Sequence, residues 1–61
     1  MRLREIRERK GLSQVQLEKL SGVHRVCISR YEHGTKKPGV DSLKRLAVAL
    51  GVTVDELIGG D

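Results

Sequence analysis

Apolar positions recur along this 61-residue chain at helical intervals, and single glycines interrupt them. Leu3 and Ile6 lie on a first helix, which Gly11 ends. Ser13 with Gln16 three residues on is the pair in which an N-cap hydroxyl and a third-position side chain satisfy two orphan amide donors. A second helix should therefore begin at Gln14. Its core face is Leu17 and Leu20. Gly22 ends it, because glycine enters the left-handed conformation at a helix end without steric cost. A third helix is predicted from His24 to His33, with Val23, Ile28 and Tyr31 inward and Gly34 as its stop. Two helices joined so tightly must cross steeply. After a loop at 35–39, where Pro38 favours a turn, residues 40–50 carry Leu43, Leu46, Ala47 and Leu50 as one apolar stripe. Gly51 stops that fourth helix. Thr53 and Glu56 repeat the capping pair, opening a short fifth helix through Leu57 and Ile58, with Gly59, Gly60 and Asp61 as a frayed end.

The pair at 14–33 presents its second helix as a projecting rod, and the B-DNA major groove is wide enough to admit one. With Val23, Ile28 and Tyr31 inward, the outward side chains are Arg25, Val26, Ser29 and Arg30. Arginine can donate two hydrogen bonds to guanine O6 and N7, serine can meet base edges or phosphate, and valine can lie against a thymine methyl. The bland alternative is a solvated charged face.

With these pieces in view, the chain resembles the helix-turn-helix family of phage repressors and Cro proteins, also called the xenobiotic response element type. The matching pieces are LREIRERKGLSQ, SGVHRVCISRYEHG, the Lys-Pro loop, and SLKRLAVALGVTVDELI. Each alone is weak, but all of them in this order, over residues 2–58, make a specific signal. The resemblance implies an all-α, compact five-helix bundle whose third helix enters the major groove. It places Arg25, Val26 and Arg30 where family members read bases, with Ser29 beside them. Gln14 falls where they bind phosphate and brace the reading helix. Arg7 and Glu32 match a pair that forms a partly buried salt bridge between the first and third helices, with phosphate contact as a second role for Arg7. Two positions depart from the pattern. Glu18 stands where alanine is usual, which is expected to loosen or re-angle the second helix against the third. His24 stands where serine, threonine or aspartate caps the third helix. Imidazole is a poor cap, so His24 is expected to approach a phosphate instead, with binding that rises at lower pH.

Composition agrees with a polyanionic partner. Twelve Lys and Arg against eight Asp and Glu give a net charge of +4. Arg2, Arg4, Arg7, Arg9 and Lys10 crowd the first helix, where part of that charge pairs with Glu5 and Glu8 or is solvated surface. Lys36 and Lys37 on the loop are well placed for phosphate. Tyr31 is the one aromatic residue, so the core must be aliphatic and no stacking platform for single-stranded nucleic acid exists. The expected core is Leu3, Ile6, Leu12, Leu17, Leu20, Val23, Ile28, Leu43, Leu46, Ala47, Leu50, Val52 and Leu57, with Val54 or Ile58 partly covered.

Catalysis fits poorly. His24 and His33, the two imidazoles, are about two and a half helical turns apart and face different directions. No triad, paired-carboxylate pocket or phosphate-binding glycine loop appears. His24 and Cys27 could share a metal, but a structural zinc site wants four ligands and the sequence offers no good third and fourth. The expectation is therefore no enzyme, no cofactor and no metal. A single cysteine cannot form an internal disulfide, and Cys27 reads as a packing residue rather than a reactive thiol. No apolar run nears the roughly 20 residues needed to span a bilayer, and the start has no signal-peptide pattern. A cytoplasmic protein, at the nucleoid through DNA, is expected.

Residues 1–61 read as one small domain, without a second one to sense a ligand or recruit polymerase. The favoured function is sequence-specific regulation of transcription on double-stranded DNA, with repression by promoter occupancy. Because one reading helix covers few base pairs, a homodimer on an inverted repeat is expected. The fourth and fifth helices, with Val52, Val54 and Ile58, are the first choice for the dimer surface, and Val15 is a weaker one. The alternative is an antitoxin-like or adaptor module whose main role is to grip a partner protein.

Overall fold

A computed structural model describes residues 1–59; Gly60 and Asp61, part of the expected frayed end, lie outside the described residues. Five helices follow one another: α1 (Leu3–Arg9), α2 (Gln14–Ser21), α3 (Arg25–His33), α4 (Val40–Leu50) and α5 (Val54–Ile58). No strand occurs among the described residues. The boundaries are written into the sequence. Ser13 and Thr53 each close a reciprocal capping box, with Gln16 and Glu56 respectively. Gly22, Gly34 and Gly51 end α2, α3 and α4 in the left-handed region, at φ of 76°, 76° and 69°.

Every helix contributes one side chain to the centre of the globule. Leu3, Leu17, Ile28, Leu46 and Leu57 are the large side chains with the least exposure, and Ile6, Val23, Tyr31, Ala47 and Leu50 are buried around them. Leu12, Cys27, Leu43, Ala49, Val52 and Val54 are half-buried against this cluster. With helices of 5 to 11 residues, none is stable alone in water, so this shared burial holds the elements. The chain start is tied to the chain end where the Arg2 amide donates to the Leu57 carbonyl at 2.8 Å. Helix α2 packs on α3 and α4, and α1 packs on α3 and α5.

One core expectation fails. Leu20 is 60% exposed, in a shallow hollow with Leu12, Gln16 and Lys19. Leu20 and Ser21 point about 100° apart around the helix, and the chain buries Ser21 instead. The Ser21 hydroxyl donates to the Leu17 carbonyl at 2.7 Å and accepts from the Val23 amide at 3.1 Å. That hydroxyl satisfies the turn into α3 from the inner side of α2, which leaves Leu20 on the outside. At the C-terminal end, Val54 is half-buried and Ile58 is 47% exposed.

Candidate nucleic-acid interface

The α2–α3 pair leaves one side of α3 exposed. Ile28 and Tyr31 face the core, with Val23 buried just ahead of the helix, and Cys27 is half-buried beside them. By the helical repeat, Arg25, Ser29, His33, Val26 and Arg30 then share the opposite arc. Arg25, Val26, Arg30 and His33 are exposed and Ser29 is half-exposed. The four side chains singled out in the sequence are thus together on one face. His33 is an addition to them. Its Nδ1 lies 2.7 Å from the Ser29 carbonyl oxygen, so Nδ1 carries the proton and donates. The 100° repeat, extended one turn past Ser29, would have found it.

Behind α3 lies a polar brace. The Arg7 guanidinium meets the Glu32 carboxylate in a two-point contact, Nε to Oε2 at 2.7 Å and Nη2 to Oε1 at 3.0 Å. Its Nη1 donates to the Leu12 carbonyl at 2.8 Å, and the Gln14 amide donates to Glu32 Oε1 at 3.1 Å. A single carboxylate on α3 is therefore gripped from α1 and from the first residue of α2. The side chains of Arg7 and Glu32 are 10% and 3% exposed. Burial pushes the Glu32 carboxyl up, but the hydrogen bonds from Arg7 and Gln14 and the charges of Arg7 and Arg4 outweigh it. The group titrates below the ordinary glutamate range. The same hydrogen bond outweighs burial at Arg7 and raises its pKa. Charge-assisted bidentate pairs of this kind fix orientation as well as energy. This arrangement commits the Arg7 guanidinium to Glu32 and the Leu12 carbonyl. The Gln14 side-chain amide, also expected at a phosphate, is half-buried and turned to Glu32.

At the α2–α3 elbow the expected poor cap turns out to be a cap. The Val26 amide donates to His24 Nδ1 at 3.1 Å. A ring nitrogen that accepts must be unprotonated, so the cap requires the neutral tautomer with its proton on Nε2. Imidazole serves here because His24 has extended backbone, φ −60° and ψ 140°, which swings Nδ1 over the first turn as a serine hydroxyl would be. Glu18 lies at the same elbow. Its side chain is 27% exposed, with Oε1 3.8 Å from Arg25 Nη1 and Oε2 3.9 Å from His24 Nε2.

Charge elsewhere divides by helix. On α1 the cations are largely answered: Arg2 and Arg9 by Glu5 at 3.0 and 2.8 Å, and Arg4 by Glu8 at 3.3 Å. Among the described residues no carboxylate pairs with Arg30, Lys36 or Lys37. Arg30 on the outer face of α3 and Lys36 and Lys37 on the exposed loop that follows it thus carry charge unpaired among the described residues, as do the exposed Lys10, Lys19 and Lys44 on other parts of the surface. No helix among the described residues is long and apolar enough to cross a membrane.

A helix-turn-helix family model matches residues 3–57. The chain is 38% identical over 60 residues to the HTH-type transcriptional activator BcrR of Enterococcus faecalis, a match covering 98% of this chain and 29% of that protein. It is 44% identical over 48 residues to an uncharacterized HTH-type transcriptional regulator of Haemophilus influenzae, covering 79% of this chain and 49% of the relative. With the HTH-type transcriptional regulator PuuR of Escherichia coli it shares 36% identity over 55 residues, 90% of this chain and 30% of the relative. The chain thus spans between under a third and about half of the length of these relatives. No solved structure matches it significantly. The match across residues 3–57, on an all-helical fold whose second and third helices pack together across the Gly22 turn, means that this chain belongs to the xenobiotic-response-element type of the helix-turn-helix family.

Proposed function

We propose that this chain is a sequence-specific double-stranded DNA-binding domain that regulates transcription, reading an inverted-repeat operator as a homodimer with α3 in the major groove. The observation that carries this is the exposed arc of Arg25, Val26, Ser29 and Arg30 on a helix buttressed from behind by Arg7, Glu32 and Gln14. A reading helix must hold its angle to within a fraction of a base step, and the buried brace supplies that stiffness. Arg25 and Arg30 are the base readers, Val26 and Ser29 the contacts between them, and Lys36 and Lys37 the phosphate anchors. Bound over a promoter, such a domain excludes polymerase, so repression is what it achieves by occupancy.

Dimerisation through the α4/α5 region is supported by apolar side chains left in water there. Val40, Val48 and Ile58 are 70%, 80% and 47% exposed. Paired subunits would set their reading helices about 34 Å apart, one turn of duplex. The same apolar residues favour a second reading, in which a partner protein occupies this face and DNA contact is secondary.

Selection of bound duplexes from a random pool at about 150 mM salt tests both, because non-specific contacts weaken steeply with salt while base contacts persist. Wild-type chain should enrich an inverted repeat that an Arg25→Ala, Arg30→Ala variant does not. With about four or five phosphates neutralised per subunit, log affinity should fall against log salt with a slope of roughly −7 to −9. A flat salt response with no enriched sequence would sink the DNA reading and leave the partner-protein one.

A further inference from the structure

The two arginines of the reading face are dressed differently. Arg30 has no carboxylate partner among the described residues, whereas Arg25 faces Glu18 across the elbow at 3.8 Å. Glu18 comes from the neighbouring helix, and α3 has no acidic residue of its own in its first turn. A carboxylate there sits beside the positive end of the α3 dipole and next to the proton-bearing nitrogen of His24. Its Cα belongs to α2, which the Leu17 and Ser21 contacts hold in place. The charge is therefore fixed relative to the reader although the ion pair is long.

We propose that Glu18 is a specificity-determining positioning residue, which keeps the Arg25 guanidinium from serving as a general phosphate contact and reserves it for base acceptors. This rests on the DNA-binding reading above. Non-specific binding draws on net positive charge near the phosphates, and Glu18 subtracts charge at the point where Arg25 would otherwise supply it. Specific binding draws on a guanidinium held to one direction, offering two donors to one base edge. Nη1 is the guanidinium atom paired with Glu18, and the Nε–Nη2 edge has no carboxylate against it among the described residues. The carboxylate thus lowers affinity for arbitrary duplex more than affinity for the operator.

The experiment compares wild type, Glu18→Gln and Glu18→Ala for binding to the selected operator and to a scrambled duplex between 50 and 300 mM salt, after thermal melts show each variant folded. Both variants should bind the scrambled duplex several-fold more tightly, with a salt slope steeper by about 0.9 per subunit, the signature of one added phosphate contact. Their operator-to-scramble ratio should fall several-fold, while Glu18→Asp, which keeps the charge, should restore most of it. In an Arg25→Ala background, Glu18→Gln should leave the slope unchanged. If tightening is the same with or without Arg25, Glu18 is only one negative charge on the surface and the inference is overturned. A wild type that discriminates no better than Glu18→Gln overturns it alone, whereas a wild type with no preference and a flat salt response removes the DNA reading along with it.

Discussion

Glu32 concentrates the electrostatics of the molecule at one side chain. Its carboxyl is held below the ordinary range, so by linkage the stability it contributes is fully present above the unfolded value, about 4.3. That contribution is lost as pH falls through the lower folded value. Glu32→Gln should therefore be less stable than wild type at pH 7 by about 2–3 kcal/mol, since it leaves the Arg7 charge buried without a counterion. The gap should narrow as pH falls below about 4.3 and close once pH is below the lowered folded value, read by urea denaturation at each pH. A gap of constant size would mean that Glu32 matters for shape and not for charge. Ser21 is a second such position. Its hydroxyl makes two buried bonds, and Ser21→Ala should cost about 1–3 kcal/mol by stranding the Val23 amide.

The elements are set by their ends. Gly22 ends α2 at φ 76°, and a Cβ built there would meet Arg45 Nη1 at an ordinary 3.5 Å. The cost of Gly22→Ala is thus backbone strain without a clash, about 1–2 kcal/mol. It should appear as a lowered melting temperature in a chain that still packs α4 on α2. The start of α3 is governed by His24. Because its Nδ1 must be unprotonated to accept from Val26, His24→Ala should destabilise by about 0.5–1 kcal/mol, while His24→Ser should match or exceed wild type. If melts show His24→Ala to be neutral, the ring contributes no cap in solution. The bond from Val26 corrects the expectation that imidazole would be a poor cap at this position. Protonation would remove the acceptor that holds the first turn, against any gain from a new positive charge.

For the molecule as a whole, the five short helices share a single small core, with a radius of gyration of 9.9 Å. A domain of this size has little stability to spare. Its surface carries cations unpaired among the described residues at Arg30, Lys36 and Lys37 on and after α3, and exposed aliphatic side chains on α4 and α5 as well as at Val15 and Leu20 on α2. The dimer proposal belongs to this scale. Ile58→Glu should shift sedimentation toward monomer and lower affinity for the full inverted repeat at least tenfold, with the melting temperature of the monomer little changed. An unchanged sedimentation profile would send the dimer surface elsewhere, Leu20 and Val15 being exposed alternatives.

Helix order and helix ends were legible in the sequence because they depend on neighbours within four residues. Ser13 with Gln16 and Thr53 with Glu56 close their boxes locally, and Gly22, Gly34 and Gly51 stop helices through their own backbone freedom. The outward set on α3 followed from the same short-range periodicity. Tertiary structure decided what depends on direction in space. Whether Leu20 or Ser21 entered the core turned on which side of α2 the chain left by, and a count of apolar positions cannot see that. Whether the Gln14 amide met Glu32, and which side chains of α3 came near Glu18, depended on where α3 came to lie across α2. A crossing of two helices is set by the packing of the whole globule, and no window along the chain contains it.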